Sequence, residues 1–212
     1  MLNSAKQKMM FYSRLKKYED FLLRLSLDDA STILDVGVAD KEWSAHVNFL
    51  EKKYPLKTKI TALSVQELKE FQKRYPEIKT VTYEGGVFPF TDKQFTAVHS
   101  NAVVEHVGSR GKQVEFVREL ARCGERFFFS TPAKEFFIEM HTNMMFLHWL
   151  PKSVFDRILR GTGKAWATGD YMNLLTRKSL VKLMASAEVD DYRIITYRLF
   201  FFPYQYVVYG PS

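Results

Sequence analysis

Apolar positions in the first 27 residues recur at spacings of three and four: Met10, Phe11, Leu15, Tyr18, Phe21, Leu22 and Leu25. That period puts them on one face of an amphipathic helix over residues 7 to 27, which ends near Asp28-Asp29. The pattern then changes. Thr32 to Val36 is a short, largely apolar run stopped by Gly37 and reads as a buried strand. Similar runs follow at Lys59 to Val65, Thr80 to Glu84, Phe95 to Ser100 and Arg126 to Ser130. Between them the period predicts helices over Lys41 to Lys53, with Trp43, Val47, Leu50 and Tyr54 facing inward, and over Gln66 to Tyr75. A third helix carries Val114, Val117, Leu120 and Ala121, with Phe116 at its edge. Pro55 and Pro76 close the first two, and Gly85-Gly86, Pro89 and Thr91-Asp92-Lys93 mark the turns before the fourth strand.

Strands alternating with helices make βαβ units, and the fixed hand of their crossovers demands a mostly parallel sheet with helices on both faces. Residues 133 to 174 interrupt this rhythm. Phe136, Phe137, Met140, Met144, Met145, Phe146, Leu147, Trp149, Leu150 and Phe155 make the segment too apolar for a solvated loop. We expect a helical insertion there, covering the carboxyl ends of the strands as a lid. Thr176 to Ala187 resumes as a helix with Thr176 as its cap, and Tyr192 to Phe200 with Tyr204 to Tyr209 form a terminal, antiparallel pair of strands.

At 212 residues and 46% apolar content the chain fits one domain over 1–212, with residues 1–28 as a helical extension and 133–174 as the lid. A single cysteine, Cys123, excludes an internal disulfide framework and reads as packing rather than chemistry. No stretch approaches the ~20 apolar residues of a membrane span, and the N-terminus lacks the pattern of a secretory signal, so a cytoplasmic location is expected. The formal charge of +7 invites a nucleic-acid partner. Its distribution argues against one: the cations are spread over the helices, and only KQKMMFYSRLKK, residues 6 to 17, forms a local cluster. That cluster beside Met9, Met10, Phe11, Leu15 and Tyr18 could touch a membrane surface weakly through the N-terminal helix.

The chemistry centres on STILDVGVAD, residues 31 to 40, where a buried strand ends in a glycine and a helix is expected to begin. In an open α/β sheet that junction is where ligands bind. The ILDVG strand end, the stretch FPFTDKQFTAVHSNAVVEHV and the order of elements resemble the class I S-adenosylmethionine-dependent methyltransferases, in particular the small type 11 group. The resemblance spans residues 31 to 210. It implies a Rossmann-like fold with a seven-stranded, mostly parallel sheet in the order 3-2-1-4-5-7-6, strand seven antiparallel, and S-adenosylmethionine as cofactor with S-adenosylhomocysteine as product.

The resemblance also implies where the cofactor lies. Asp35, Gly37, Val38 and Ala39 occupy the family's first motif, with Ala39 where a second glycine is usual. Ser64 and Val65 stand at the end of strand two, where the family has a carboxylate for the ribose, and Gln66 or Glu67 are left to compensate. Gly86 and Val87, next to Phe88, fall at the adenine position, and Asn101, followed by Ala102, lines the floor beneath the cofactor.

Methyl transfer asks the protein to align a nucleophile with the S–CH3 bond, exclude water and take a proton from a hydroxyl. A histidine suits the last task near neutral pH. His106, just past strand four beside Glu105, and His141 are the candidate bases, with His148 also in the lid; His46 and His99 read as structural. Glu105-His106 echoes the end of a Glu-x-x-Glu-His metal run found in some quinone O-methyltransferases, but Ala102 replaces the first glutamate, so no metal is expected. The lid aromatics Phe136, Phe137, Trp149 and Trp166 fit either a substrate surface or the lid's own core. The reading is a small-molecule O- or N-methyltransferase. Its alternatives are a non-catalytic scaffold with a degenerate cofactor site, acting through a protein partner or the membrane surface, and an RNA-modifying enzyme suggested by charge alone.

Overall fold

The computed structural model describes residues 2–211. In chain order they form α1 (Leu2–Leu25), β1 (Ile33–Val36), α2 (Phe49–Lys53), β2 (Ile60–Ser64), α3 (Lys69–Arg74), β3 (Lys79–Thr82), β4 (Phe95–Asn101), α4 (Arg110–Cys123) and β5 (Gly124–Pro132). There follow β6 (Ile138–Glu139), β7 (Met144–Met145), α5 (Lys152–Gly161), α6 (Arg177–Ser186), β8 (Arg193–Leu199) and β9 (Phe202–Gly210). Seven strands make one mostly parallel sheet in the order β3-β2-β1-β4-β5-β9-β8, with one antiparallel strand. Setting aside the short β6-β7 hairpin, this is the expected 3-2-1-4-5-7-6 arrangement.

The chain divides into two compact units. The first comprises the residues up to Ser100, Leu120–Phe128 and the chain from Tyr209; the second comprises Asn101–Glu119 and Phe129–Val208. In the first, β1 lies between β2 and β4 in parallel register, so Asp35 sits beside Ala62 on one side and His99 on the other. Every residue of β1 and β2 is buried, which is why both read as largely apolar runs with only Asp35, Thr61 and Ser64 polar. The amphipathic face of α1 covers this unit. Phe21 and Leu25 are fully buried, and Phe21 meets Phe128 edge-on at 5.6 Å. Burying one such phenylalanine stabilises by roughly 2–3 kcal/mol. At the start of β5, a Cβ on Gly124 would lie 2.5 Å from the Arg126 carbonyl oxygen and 2.7 Å from Val98 Cγ2, so only glycine fits.

The helix expected over Lys41 to Lys53 is a correction: only Phe49–Lys53 is helical. Asn48 adopts the left-handed conformation and its side chain grips Ala39, accepting from the backbone N–H at 3.1 Å and donating to the carbonyl at 2.8 Å. Lys52 Nζ donates to the Val47 carbonyl at 2.6 Å, and Trp43, expected on the apolar face, is exposed. Side-chain bonds to the backbone have displaced the helical ladder here.

The expected helical insertion is present in the second unit, as short pieces rather than long helices. Residues 133–174 hold one α-helix, α5, with the β6-β7 hairpin and three single turns of 3-10 helix at Leu147–Trp149, Ala165–Ala167 and Gly169–Tyr171. Left-handed residues at Asn143, Phe146, Gly163 and Gly169, together with Pro151, keep the rest from winding into helix. The apolar content is spent on a local core of Phe155, Leu159, Ala167 and Met172, against which Met144, Leu147 and Leu174 pack. Thr176 caps α6 as expected: it accepts from Ser179 N–H at 3.1 Å while the Ser179 hydroxyl takes the Thr176 N–H at 2.8 Å.

Candidate active site

At the carboxyl end of β1, Gly37 has φ +91° and donates to the Leu63 carbonyl at 2.8 Å, a conformation that strains any residue with a Cβ. The next three residues are each fixed from a distance. Ser64 Oγ donates to the Val38 carbonyl at 2.9 Å, Asn48 holds Ala39 from both sides, and Asp40 Oδ1 accepts from the first N–H groups of α3, Glu70 at 2.7 Å and Phe71 at 3.2 Å. The turn over residues 37–40 is therefore rigid before any ligand arrives.

That rigidity uses groups that sequence reasoning had assigned to a cofactor. The Ser64 hydroxyl, expected to face a ribose, is buried and committed inside the turn, where it also accepts from Gln66 N–H. Glu67, a candidate substitute, pairs with Lys69 at 2.5 Å on the surface. Phe88, expected beside an adenine ring, is buried against Tyr83 at 5.5 Å. Val65, just past β2, and Val87, in the loop after β3 beside the positive-φ pair Gly85 and Gly86, are 61% and 66% exposed. What this edge offers a ligand is backbone at Gly37 and Val38 and two apolar faces.

Asp35 also departs from expectation. Its carboxyl turns into the core and shares a 2.7 Å hydrogen bond with His99 Nδ1, its register partner on β4. Burial drives the Asp35 carboxyl up to about 7, against hydrogen bonding from Glu51 and the charge of Arg14. Burial likewise drives His99 down to about 3, and Glu51 is raised by burial and then by the charge of Asp35. With Phe21 edge-on to His99 at 5.0 Å and Phe128 stacked on it at 6.0 Å, this pair belongs to the core. His99 is structural, as the sequence suggested.

In the second unit the segment leaving β4 builds a polar cluster. Asn101 Oδ1 accepts from Ser130 Oγ at 2.8 Å, and Ala102, at φ +58°, donates its N–H to the Ser130 carbonyl at 2.9 Å. Glu105 is fully buried; its Oε2 accepts from Thr131 Oγ1 at 3.0 Å, while Oε1 has no hydrogen-bond partner. His106 Nδ1 donates to the Tyr171 carbonyl at 2.9 Å, which leaves Nε2 to face His141 Nε2 at 3.1 Å. His141 Nδ1 in turn meets Glu139 Oε1 at 2.7 Å.

Glu139, which sequence reasoning passed over, organises this arrangement. Burial opposes its ionisation, but the hydrogen bonds and charge of His141 and the bonds from Thr142 outweigh burial and hold its carboxyl at about 2. The only signal in the sequence was the Glu-x-His-Thr spacing across the tip of a hairpin. His148, the third candidate, is buried and donates from Nε2 to the Phe136 carbonyl at 2.7 Å, and burial lowers its pKa. It lines a cavity of about 480 Å³ with Arg110, Lys134, Lys152 and Phe155.

No protein-family model matches the chain, and no curated protein matches it. Solved structures do. An S-adenosylmethionine-dependent methyltransferase from Methanosarcina mazei superposes with a TM-score of 0.56 at 16% identity, over 89% of this chain and 95% of that one. Magnesium protoporphyrin IX methyltransferase from Synechocystis, with bound S-adenosylhomocysteine, gives 0.53 at 13% identity over 96% and 81%. The 1,6-didemethyltoxoflavin N1-methyltransferase of Burkholderia thailandensis, bound to its substrate and S-adenosylhomocysteine, gives 0.53 at 13% identity over 92% and 76%. The chain has the fold of class I methyltransferases; at these identities the likeness is one of fold.

Proposed function

We propose that the chain transfers the methyl group of S-adenosylmethionine to an oxygen or nitrogen of a small molecule. The observation that carries this reading is the pinned turn at Gly37. It closes β1, whose neighbours β2 and β4 continue the chain in opposite directions across the sheet, and such a switch point is where open α/β sheets bind ligands.

The residues at this edge fit the cofactor through backbone and apolar contact. Gly37 and Val38 would take its methionine portion, where a missing Cβ allows close approach, and Val65 and Val87 its nucleoside. With the Ser64 hydroxyl engaged by Val38, ribose recognition lacks the charge-assisted bonds a carboxylate would give, which predicts weaker binding than such a site allows. When bound, the cofactor supplies an electrophilic sulfonium methyl. The chain's own task is to orient the acceptor, exclude water and receive a proton. His106 and His141 suit the proton: each ring is fixed through Nδ1, so the two Nε2 atoms accept one proton between them. Phe137, Phe146 and Trp149, which pack at 6.3 and 5.0 Å, give an aromatic surface suited to an apolar or sugar-like acceptor.

Isothermal calorimetry with S-adenosylmethionine and S-adenosylhomocysteine tests the reading. The expected result is saturable one-site binding that Val87→Asp weakens by roughly 10-fold without altering the melting temperature, since Val87 is exposed. No heat at millimolar ligand would contradict it.

A further inference from the structure

We propose that Glu105, His106 and His141 form a binding site for a first-row divalent transition metal. Their ligand atoms, one from each residue, all lie within 4.8 Å of one another. The donor set, two imidazoles and one carboxylate, suits zinc and its neighbours better than the all-oxygen cations.

Geometry favours an ion over the other occupants of this space. Two nitrogens each about 2.1 Å from one zinc ion stand about 3.0 Å apart at a right angle and about 3.4 Å apart at the tetrahedral angle. The two Nε2 atoms are 3.1 Å apart, within that interval. Glu105 Oε1 is 3.9 Å from His106 Nε2, so the carboxylate must move inward by roughly an ångström to complete the set. A proton shared by the two rings would account for their approach. It would put positive charge 3.9 Å from Glu105 Oε1 but leave that buried oxygen without a hydrogen bond, at a cost of roughly 1–3 kcal/mol. A cation satisfies all three atoms.

The atoms pointing away are held as metal ligands generally require. His106 Nδ1 donates to the Tyr171 carbonyl, His141 Nδ1 lies on the Glu139 carboxylate, and Glu105 Oε2 accepts from Thr131. These partners fix both rings with Nε2 turned inward. The sequence argument against a metal counted Ala102 as a lost ligand; the structure replaces it with His141, 35 residues along the chain. Three protein ligands leave a position open on the ion, the pattern of a catalytic rather than a structural site; with an ion bound, the two Nε2 atoms would act as ligands instead of accepting a proton, and the ion would polarise a substrate hydroxyl in their place.

The proposal does not rest on cofactor binding, and its test separates the two. The full chain, stripped with EDTA and dialysed, is titrated with Zn2+ by calorimetry, and Co2+ is added in parallel to read ligation by visible absorption. One equivalent of Zn2+ should bind, with Co2+ giving an imidazole-ligated spectrum. His141→Ala should abolish both signals. Glu139→Gln, which keeps the side-chain size, should weaken Zn2+ by about 10–100-fold, with circular dichroism confirming that each variant folds. Failure of the wild type to bind, binding unchanged in a His106→Ala/His141→Ala double variant, or a response to Mg2+ alone would each overturn the site. S-adenosylhomocysteine titrated in EDTA reports on the cofactor reading independently.

Discussion

Two acid–histidine pairs in this protein have the same hydrogen-bond length, 2.7 Å, and opposite electrostatics. Asp35 and His99 lie in the first unit among Phe21, Phe128 and Glu51, where burial pushes the acid up to about 7 and the base down to about 3, so between those values both partners are uncharged. Glu139 and His141 lie in the second unit on a hairpin tip, where Thr142 adds donors and the imidazole is a quarter exposed, and the acid is held at about 2. Distance alone therefore does not identify a working pair. Access to water for one partner and extra donors for the other separate an orienting pair whose acid is held ionised from a packed one whose acid is pushed up.

The largest expected difference between the pairs is in pH dependence. A carboxyl raised in the folded state contributes stability that is present below its unfolded value and is lost as pH rises through its folded value. For Asp35 that window runs from 3.8 to about 7, so Asp35→Asn should gain on the wild type across it by up to about 4 kcal/mol in urea denaturation. His99 slopes the other way, its lowered pKa costing stability as pH falls below 6.5, and because it is bonded to Asp35 the difference is read against His99→Ala as well. A flat difference between pH 4 and 7 would mean that the Asp35–His99 pair is ionised.

Next in size is catalysis. Once an acceptor is found, His106→Ala should lower turnover by on the order of 10²-fold, about 3 kcal/mol, and leave cofactor affinity unchanged. His99→Ala should instead leave rate per folded molecule unchanged and cost roughly 1–3 kcal/mol of stability by stranding the buried Asp35 carboxyl. If His99 changed the rate and His106 the stability, the assignment of the two pairs would be reversed. The smallest effect lies outside both pairs: Thr176→Ala, removing the cap of α6, should cost about 1 kcal/mol in the same denaturation experiment.

The strands were legible because a parallel sheet buries both faces, and β1, β2 and β4 announce themselves as apolar runs. The helix at 41–53 was not, because the spacing of Trp43, Val47 and Leu50 carries no trace of the Asn48 side chain that holds Ala39 and breaks the turn. In the insertion the sequence showed apolar content but not how it is divided: α5 and short turns close a small core around Leu159. At the candidate site, Asp35 and Ser64 stand at the strand ends expected of them, but their side chains are bonded to His99 and to the Val38 carbonyl. A sequence gives the residue at a strand end but not the register that sets Asp35 beside His99 or Ser64 under Val38. His106 and His141 were both singled out; their meeting, and the part of Glu139 in it, required the fold.

The central claim is that the rigid turn at Gly37 is a cofactor seat. A crystal of the chain grown with saturating S-adenosylhomocysteine tests it most directly. The account predicts density for the amino-acid portion over Gly37 and Val38, with the nucleoside against Val65 and Val87. Density placed elsewhere, or none at saturation in a crystal whose turn is open to solvent, would contradict it.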